Sequence, residues 1–236
     1  LVTRGAAKQR LWQRLQQAPA SEPELAQLHP RWRPALAPWV EAGWIDVIPM
    51  SPYAPPPILA AAPTLTAAQS DVLAQIAAHP SGFAVFVLDG VAGSGKTEVY
   101  LRLGAGVLAR GEQALLLVPE IGLTPQLVAR VRERLPGRVA AMHSELSEGE
   151  RVEAYAAAAR GEVDVVIGTR SAVWTPLPRL GLVLVDEEHD ASYKQQDGIR
   201  YHARDLALVR ASKLGVPVLL GSATPSLESL HNALSG

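Results

Sequence analysis

Cysteine is absent from the 236 residues. That excludes disulfides, thiolate zinc sites and a cysteine nucleophile within the chain, and it fits a cytoplasmic setting. Long hydrophobic runs are also missing. Nothing approaches the roughly 18 apolar residues of a membrane span, so no membrane partner is expected; the most apolar stretches, Ala114–Val118 and Val216–Leu220, have the length of buried strands. There is no surplus of positive charge: the formal net charge is −1, which argues against a globally basic nucleic-acid coat while leaving local patches open. Lysine is scarce, with Lys8, Lys96, Lys194 and Lys213 the four among 22 basic residues. The chain opens Leu1-Val2-Thr3-Arg4 with neither an initiator Met nor a signal-peptide hydrophobic region, and Ala233–Gly236 is no obvious finish. It is therefore expected to be part of something longer.

What is present describes an ordinary globular protein of one to two domains, with 48% apolar and 19% charged residues and a mean hydropathy of +0.09. Five prolines fall between Pro49 and Pro57, a density that forbids helix and ladder and reads as an extended linker. The expected domains are a small unit over residues 1–48, a Pro/Ala-rich linker over 49–62, and a larger unit over 63–236. The split separates charge as well. Residues 1–62 hold six Lys/Arg against four Asp/Glu, and 63–236 hold sixteen against nineteen.

In the small unit, Leu11, Trp12 and Leu15 follow helical spacing. Ser21-Glu22-Pro23-Glu24 reads as a capping box opening a helix with Leu25 and Leu28. Pro34 starts a third helix with Leu36, Trp39 and Val40 inward, ended by Gly43, and Trp44–Ile48 follows as a strand. Three short helices and a terminal strand point to a winged helix or a related helix-turn-helix unit; a small helical cap without a nucleic-acid role is the other reading. Beyond the linker, strands at 83–88, 114–118, 139–142, 163–167, 182–185 and 216–220 alternate with helices at 97–110, 125–135 (Thr124 as N-cap) and 148–160 (Ser147 as cap). Continuous apolar strands between helices mean a mostly parallel α/β sheet covered on both faces.

Gly90-Val91-Ala92-Gly93-Ser94-Gly95-Lys96-Thr97 matches G-x-x-x-x-G-K-T between a strand and a helix. Its glycines let backbone N–H groups surround phosphate oxygens, and the helix N-terminus adds its dipole. Gly93, Ser94, Gly95, Lys96 and Thr97 are the candidate phosphate cradle, with Lys96 on the β- and γ-phosphates and the Thr97 hydroxyl on Mg²⁺. Ninety residues on, Leu182–Val185 ends in Asp186-Glu187-Glu188-His189. Three acids at one strand end repel unless a cation sits there. Asp186 is expected to hold Mg²⁺ through water and Glu187 to polarise the attacking water, while Glu188 reads as solvated surface. Ser222-Ala223-Thr224 after the last strand either bridges the nucleotide site to another surface or caps the next helix. Thr66 and Gln69 make a capping box, yet a glutamine upstream of a P-loop can also read adenine.

In this order, the P-loop, D-E-E-H and S-A-T resemble superfamily 2 helicases of the DExH type. Leu117–Gln126 (LVPEIGLTPQ), His143–Ser147, Gly168–Val173, Asp186–Gln195 and Arg200–Asp205 narrow the resemblance to the primosomal protein N′ (PriA) family of replication-restart helicases, close over 63–236 and looser before it. The resemblance implies a winged helix followed by a RecA-like P-loop lobe of an ATP- and Mg²⁺-dependent 3′-to-5′ DNA helicase acting on forked and single-stranded DNA. Single-strand DNA-binding protein and other primosome proteins are its implied partners. It puts Gln69 at adenine, Pro119, Glu120, Thr169 and Arg170 along the single-strand path, and Tyr193, Lys194, Tyr201 and His202 in an aromatic-rich loop on DNA. His189, Ser222 and Thr224 would couple that path to hydrolysis. Ala92 departs from the family's commoner threonine. A second lobe and zinc-binding cysteines would lie beyond this chain. On residues alone, a solvated rim around buried Tyr193 and Tyr201 competes with the DNA loop, though the run's polarity and interleaved cations suit base stacking. A DNA-structure binding module that uses ATP as a switch competes with the motor, and a small-molecule P-loop kinase is a third reading that leaves Glu120–Gln126 and Arg170 without a role.

Overall fold

A computed structural model describes residues 5–17, 20, 22–47, 60–79 and 82–235. The chain divides into two compact units at residues 50 and 51. The first packs α1 (Ala6–Gln17), α2 (Glu22–Leu28) and α3 (Trp32–Glu41) around Leu11, Leu25, Ala35, Leu36 and Trp39. Trp12 stands edge-on to Trp39 at 5.0 Å and to Trp44 at 6.3 Å. Gly43 ends α3 as expected: at φ +68°, it lets Gly43 N–H reach Val40 O at 3.0 Å and Trp44 N–H reach Trp39 O at 2.9 Å. That is the Schellman arrangement, which satisfies two orphan carbonyls.

Two expectations for this unit need correction. Residues 44–47 form no strand; Trp44 turns back onto Trp12, and no other strand among the unit's described residues offers a ladder. Val40 is exposed, because Ala35, Leu36 and Trp39 already fill the inward stripe of α3. Ser21, Ile48 and the proline-rich stretch through residue 59 lie outside the described residues.

The second unit opens with α4 (Ala67–Ala78), whose Thr66–Gln69 capping box forms. Then come β1 (Val85–Asp89), α5 (Lys96–Ala109), β2 (Gln113–Leu117), α6 (Pro125–Arg134), β3 (Val139–Met142), α7 (Glu148–Ala159), β4 (Val165–Gly168) and β5 (Leu180–Val185). A short hairpin of β6 (Lys194–Gln195) and β7 (Tyr201–His202) leads into α8 (Ala203–Leu214), β8 (Val218–Ser222) and α9 (Leu227–Ser235). Thr124 and Ser147 cap α6 and α7 through Leu127 N–H and Glu150 N–H. The sheet is six-stranded, in the order β1-β8-β5-β2-β4-β3, and all its pairs are parallel. Alternation along β2 shows why the strands read as unbroken apolar runs. Leu115 and Leu117 enter the core shared with α7 and α8, and Ala114 and Leu116 enter the core shared with α5 and α6. The register pairs Val185 with Leu220 and Asp89 with Ser222, so the chain leaves β1, β5 and β8 side by side at their C-terminal ends, where parallel α/β sheets bind ligands.

Candidate functional site

At that edge the P-loop turns from β1 into α5. Gly93 and Gly95 adopt φ of +79° and +85°, a region that strains any residue with a side chain. A Cβ on Gly95 would also collide with the Gln69 amide nitrogen. Gln69 therefore does two jobs. Its Oε1 accepts from Thr66 N–H at 3.0 Å, closing the capping box, while its Nε2 donates to the Ser94 and Gly95 carbonyls at 3.3 Å each. Lys96 Nζ donates to Gly90 O at 2.8 Å and lies 3.3 Å from Glu187 Oε1. The loop, Asp186 and Glu187 line a cleft of about 490 Å³ together with Pro63, Leu101, Arg130 and Arg134. Arg134 grips Glu98 with two hydrogen bonds of 2.7 and 2.8 Å, and Arg102 adds a third at 2.9 Å. The Arg134 bonds hold the Glu98 carboxyl below its usual range against the opposing effect of burial, with Arg102 assisting. Arg130 has no ion pair or side-chain hydrogen bond among the described residues.

Asp186 caps β5. Its Oδ1 accepts from the Tyr100 hydroxyl at 2.8 Å, and its carbonyl accepts from the Tyr193 hydroxyl at 2.6 Å. Burial raises the Asp186 pKa, the Tyr100 bond works against the rise, and neighbouring Glu187 adds to it. A Cβ on Gly221 would run into the Tyr100 hydroxyl, so glycine is what lets β8 pass the pair. Glu187 has φ +43°, left-handed for a residue with a side chain, which costs about 1–3 kcal/mol. One of its carboxylate oxygens faces Lys96, and the other accepts from Ala223 N–H at 3.4 Å. His189 Nδ1 is 2.6 Å from Ser222 Oγ and its Nε2 is 3.3 Å from Thr224 Oγ1, while Thr224 N–H donates to Ser222 Oγ at 3.0 Å. Those three residues form one hydrogen-bonded cluster beside Asp186 and Glu187.

Some sequence readings change here. Glu188 is 0% exposed rather than solvated, and ion-pairs with Arg204 at 2.9 Å. Tyr193 is also 0% exposed, so its ring cannot stack on a base; its hydroxyl instead fixes the Asp186 carbonyl. Arg170 spends its guanidinium on the Ser192 and Lys194 carbonyls at 3.2 and 3.0 Å, tying the turn after β4 to the hairpin. His202 is half-buried, and burial lowers its pKa, so at neutral pH it is an uncharged imidazole rather than a phosphate-pairing cation. Lys194 is exposed, and Tyr201 is half-buried. Glu120 and the largely buried Thr169 line a second cleft of about 600 Å³ with Arg132, Glu133, His143 and Glu145; Pro119 immediately precedes Glu120. The sequence reading passed over Trp174, which is 50% exposed with its ring edge-on to Tyr201 at 5.4 Å. An isolated tryptophan after a strand carries no local signal. Tyr100, Arg130 and Arg134 were missed for the same reason.

The model of the DEAD/DEAH box helicase family matches residues 66–233. The chain belongs to that family. Similar to it within the DEAD/DEAH box helicases is the replication restart protein PriA of Haemophilus influenzae, 52% identical over 173 residues, which is 73% of this chain and 24% of the relative. PriA of Bacillus subtilis is 51% identical over 152 residues, 64% of this chain and 19% of the relative. The chain thus spans about a quarter or less of the length of these relatives. Among solved structures, RecG bound to a three-way DNA junction aligns with TM-score 0.51 and 26% identity over 72% of this chain and 22% of that one. The UvsW helicase from bacteriophage T4, at TM-score 0.50 and 15% identity over 70% of this chain and 56% of that one, shares the fold.

A DEAD/DEAH box helicase implies ATP with Mg²⁺, and the residues here fit both. Thr97 and Asp186 bring oxygen donors to the same cleft, the donor type Mg²⁺ takes. Among the described residues no group of three or more His, Cys, Asp or Glu side chains is placed to hold a metal ion.

Proposed function

We propose that this chain is the first motor lobe of an ATP-dependent 3′-to-5′ DNA helicase that acts at branched DNA in replication restart, within a protein of the relatives' length. The observation that carries the reading is the meeting of Lys96, Asp186, Glu187 and the His189–Ser222–Thr224 cluster at one sheet edge, in a chain of which 64–73% aligns to PriA at about half identity.

On this reading the Gly93–Thr97 backbone and Lys96 take the phosphates, with Lys96 exchanging Gly90 O and Glu187 for phosphate oxygens. Gln69 reads adenine with the amide that otherwise holds the P-loop. Thr97 and, through water, Asp186 would hold Mg²⁺, which would supply screening of the phosphate charge. Glu187, freed of Lys96, orients the attacking water. Single-stranded DNA runs past Pro119, Glu120, Thr169 and Arg170 to Lys194, Tyr201 and His202, with Trp174 and Tyr201 as the stacking pair. His189, Ser222 and Thr224 relay its presence. The first unit, three helices with a surplus of positive charge over residues 1–62, is the helical part of a winged helix on the same DNA. Forked DNA, single-strand DNA-binding protein and other primosome proteins are the partners, and zinc belongs to segments outside this chain.

The test is ATP hydrolysis and fork unwinding by the full-length protein with and without forked DNA. Strong stimulation with unwinding of the 3′-tailed fork is expected. Hydrolysis indifferent to DNA, with nucleotide-dependent fork binding, would instead make the lobe a switch.

A further inference from the structure

We infer that the Glu188–Arg204 ion pair is a strut that makes the placement of the water-orienting Glu187 answer to the hairpin carrying Tyr201 and His202. The inference rests on the helicase reading above and adds to it a positioning role for two residues that touch neither nucleotide nor DNA.

Three segments close on one carboxylate. Glu188 follows β5, and its oxygens accept from Ser226 N–H at 2.6 Å, Arg204 Nη1 at 2.9 Å, Ser229 Oγ at 3.0 Å and Ser226 Oγ at 3.2 Å. Its own N–H donates to Gly221 O at 3.0 Å. Ser226 lies in the connection from β8 into α9 and Ser229 in the first turn of α9, and Arg204 is the second residue of α8, two positions beyond the end of β7. The Arg204 guanidinium is itself held, with Nη2 2.7 Å from Glu228 and 2.8 Å from Asp205.

Stability does not account for such an arrangement, since a buried ion pair can often be replaced by apolar side chains at no loss. Direction does. The planar Arg204 guanidinium reaches Glu188 through Nη1 while Nη2 is held by Glu228 and Asp205, so a shift at the start of α8 is passed through one rigid group to the backbone next to Glu187. That backbone is the strained one, with φ +43° at Glu187, and it keeps this conformation only while its neighbours over-determine it. The other partner is the hairpin: two strands of two residues each are marginal by themselves, so its position depends on the contacts that Arg170 and Trp174 give it and, on this proposal, on what lies on Tyr201.

The test uses the full-length protein and two variants. The double variant Glu188→Met/Arg204→Met replaces the strut with apolar packing, and Glu188→Gln keeps its shape without its charge. Melting temperature, DNA-free ATPase and ATPase with single-stranded DNA are read for each. The double variant is expected to melt within about 3 °C of wild type, to keep DNA-free turnover within about threefold, and to lose about tenfold in DNA stimulation. Wild-type stimulation in the folded double variant overturns the strut and leaves the pair as packing. Should the double variant fail to fold, Glu188→Gln decides: a fall in stimulation with unchanged DNA-free turnover supports the strut, and unchanged stimulation, or both rates falling together, overturns it. A wild-type protein that DNA does not stimulate counts against the helicase reading instead.

Discussion

The lobe carries two clefts of similar size, about 490 and 600 Å³, with opposite electrostatic designs. In the first, two glutamates are matched in advance by cations, Glu98 by Arg134 and Arg102 and Glu187 by Lys96, and Asp186 by the Tyr100 hydroxyl. Arg130 and the N-terminus of α5 are left to face an anion. In the second, Glu120, Glu133 and Glu145 meet Arg132 and His143, with no ion pair among these described residues. Volume therefore does not tell a phosphate site from any other hollow. What tells them apart is whether the acids have been neutralised before the ligand arrives and whether backbone N–H groups are left unpaired at a helix start.

The largest effect is expected where the two clefts differ in chemistry. Glu187→Gln in the full-length protein should keep nucleotide affinity and lower turnover by about 10²–10⁴, while Glu120→Gln should leave turnover without DNA unchanged. Turnover of Glu187→Gln within about threefold of wild type would remove Glu187 from the chemistry. Lys96→Ala comes next. Calorimetry on this chain should show nucleotide binding weakened by about 100-fold or more, because Lys96 is the cation that the P-loop itself carries, with its Nζ on Gly90 O; unchanged affinity would undo the assignment of the cleft. Arg130→Ala sharpens the idea of an unmatched cation. A loss of about three- to tenfold in nucleotide affinity with turnover intact is expected, as for an exposed charged contact, and no loss would leave the matched residues sufficient by themselves.

Glu98→Gln has the smallest effect on nucleotide and shows in melting. It should cost about 1–3 kcal/mol at pH 7, as losing charged hydrogen bonds does. The Glu98 carboxyl is held below 4.5 in the fold, so its contribution is present above that pH and is lost as the pH falls through the lowered value. The gap in melting temperature between wild type and Glu98→Gln should therefore close in acid. A gap independent of pH would make the pairing incidental.

How much of this was legible in the sequence depended on how far apart the partners lie along the chain. The P-loop, the capping boxes at Thr66 and Ser147 and the unbroken apolar runs of the strands depend on neighbours within a few residues, and all could be read. Tyr100 and Asp186 are 86 positions apart, and Glu188 finds Ser226 and Ser229 about 40 positions on. No local pattern announces such pairs, which is why Glu188 looked like solvent-facing acid and Tyr193 like a stacking ring. The strand expected at Trp44–Ile48 failed for the converse reason: a good local pattern had no second strand among its described neighbours, and a tryptophan cluster claimed the residue.

The placement of β1 at the end of the strand order has a practical consequence. Among the described residues it pairs with β8 alone, so one side of the P-loop strand carries no strand partner there, beside the exposed Phe83 and Val85. Such an edge is a template for another strand. Handled by itself, the chain should self-associate as its concentration rises, and the first element lost to that pairing would be the strand that carries the nucleotide.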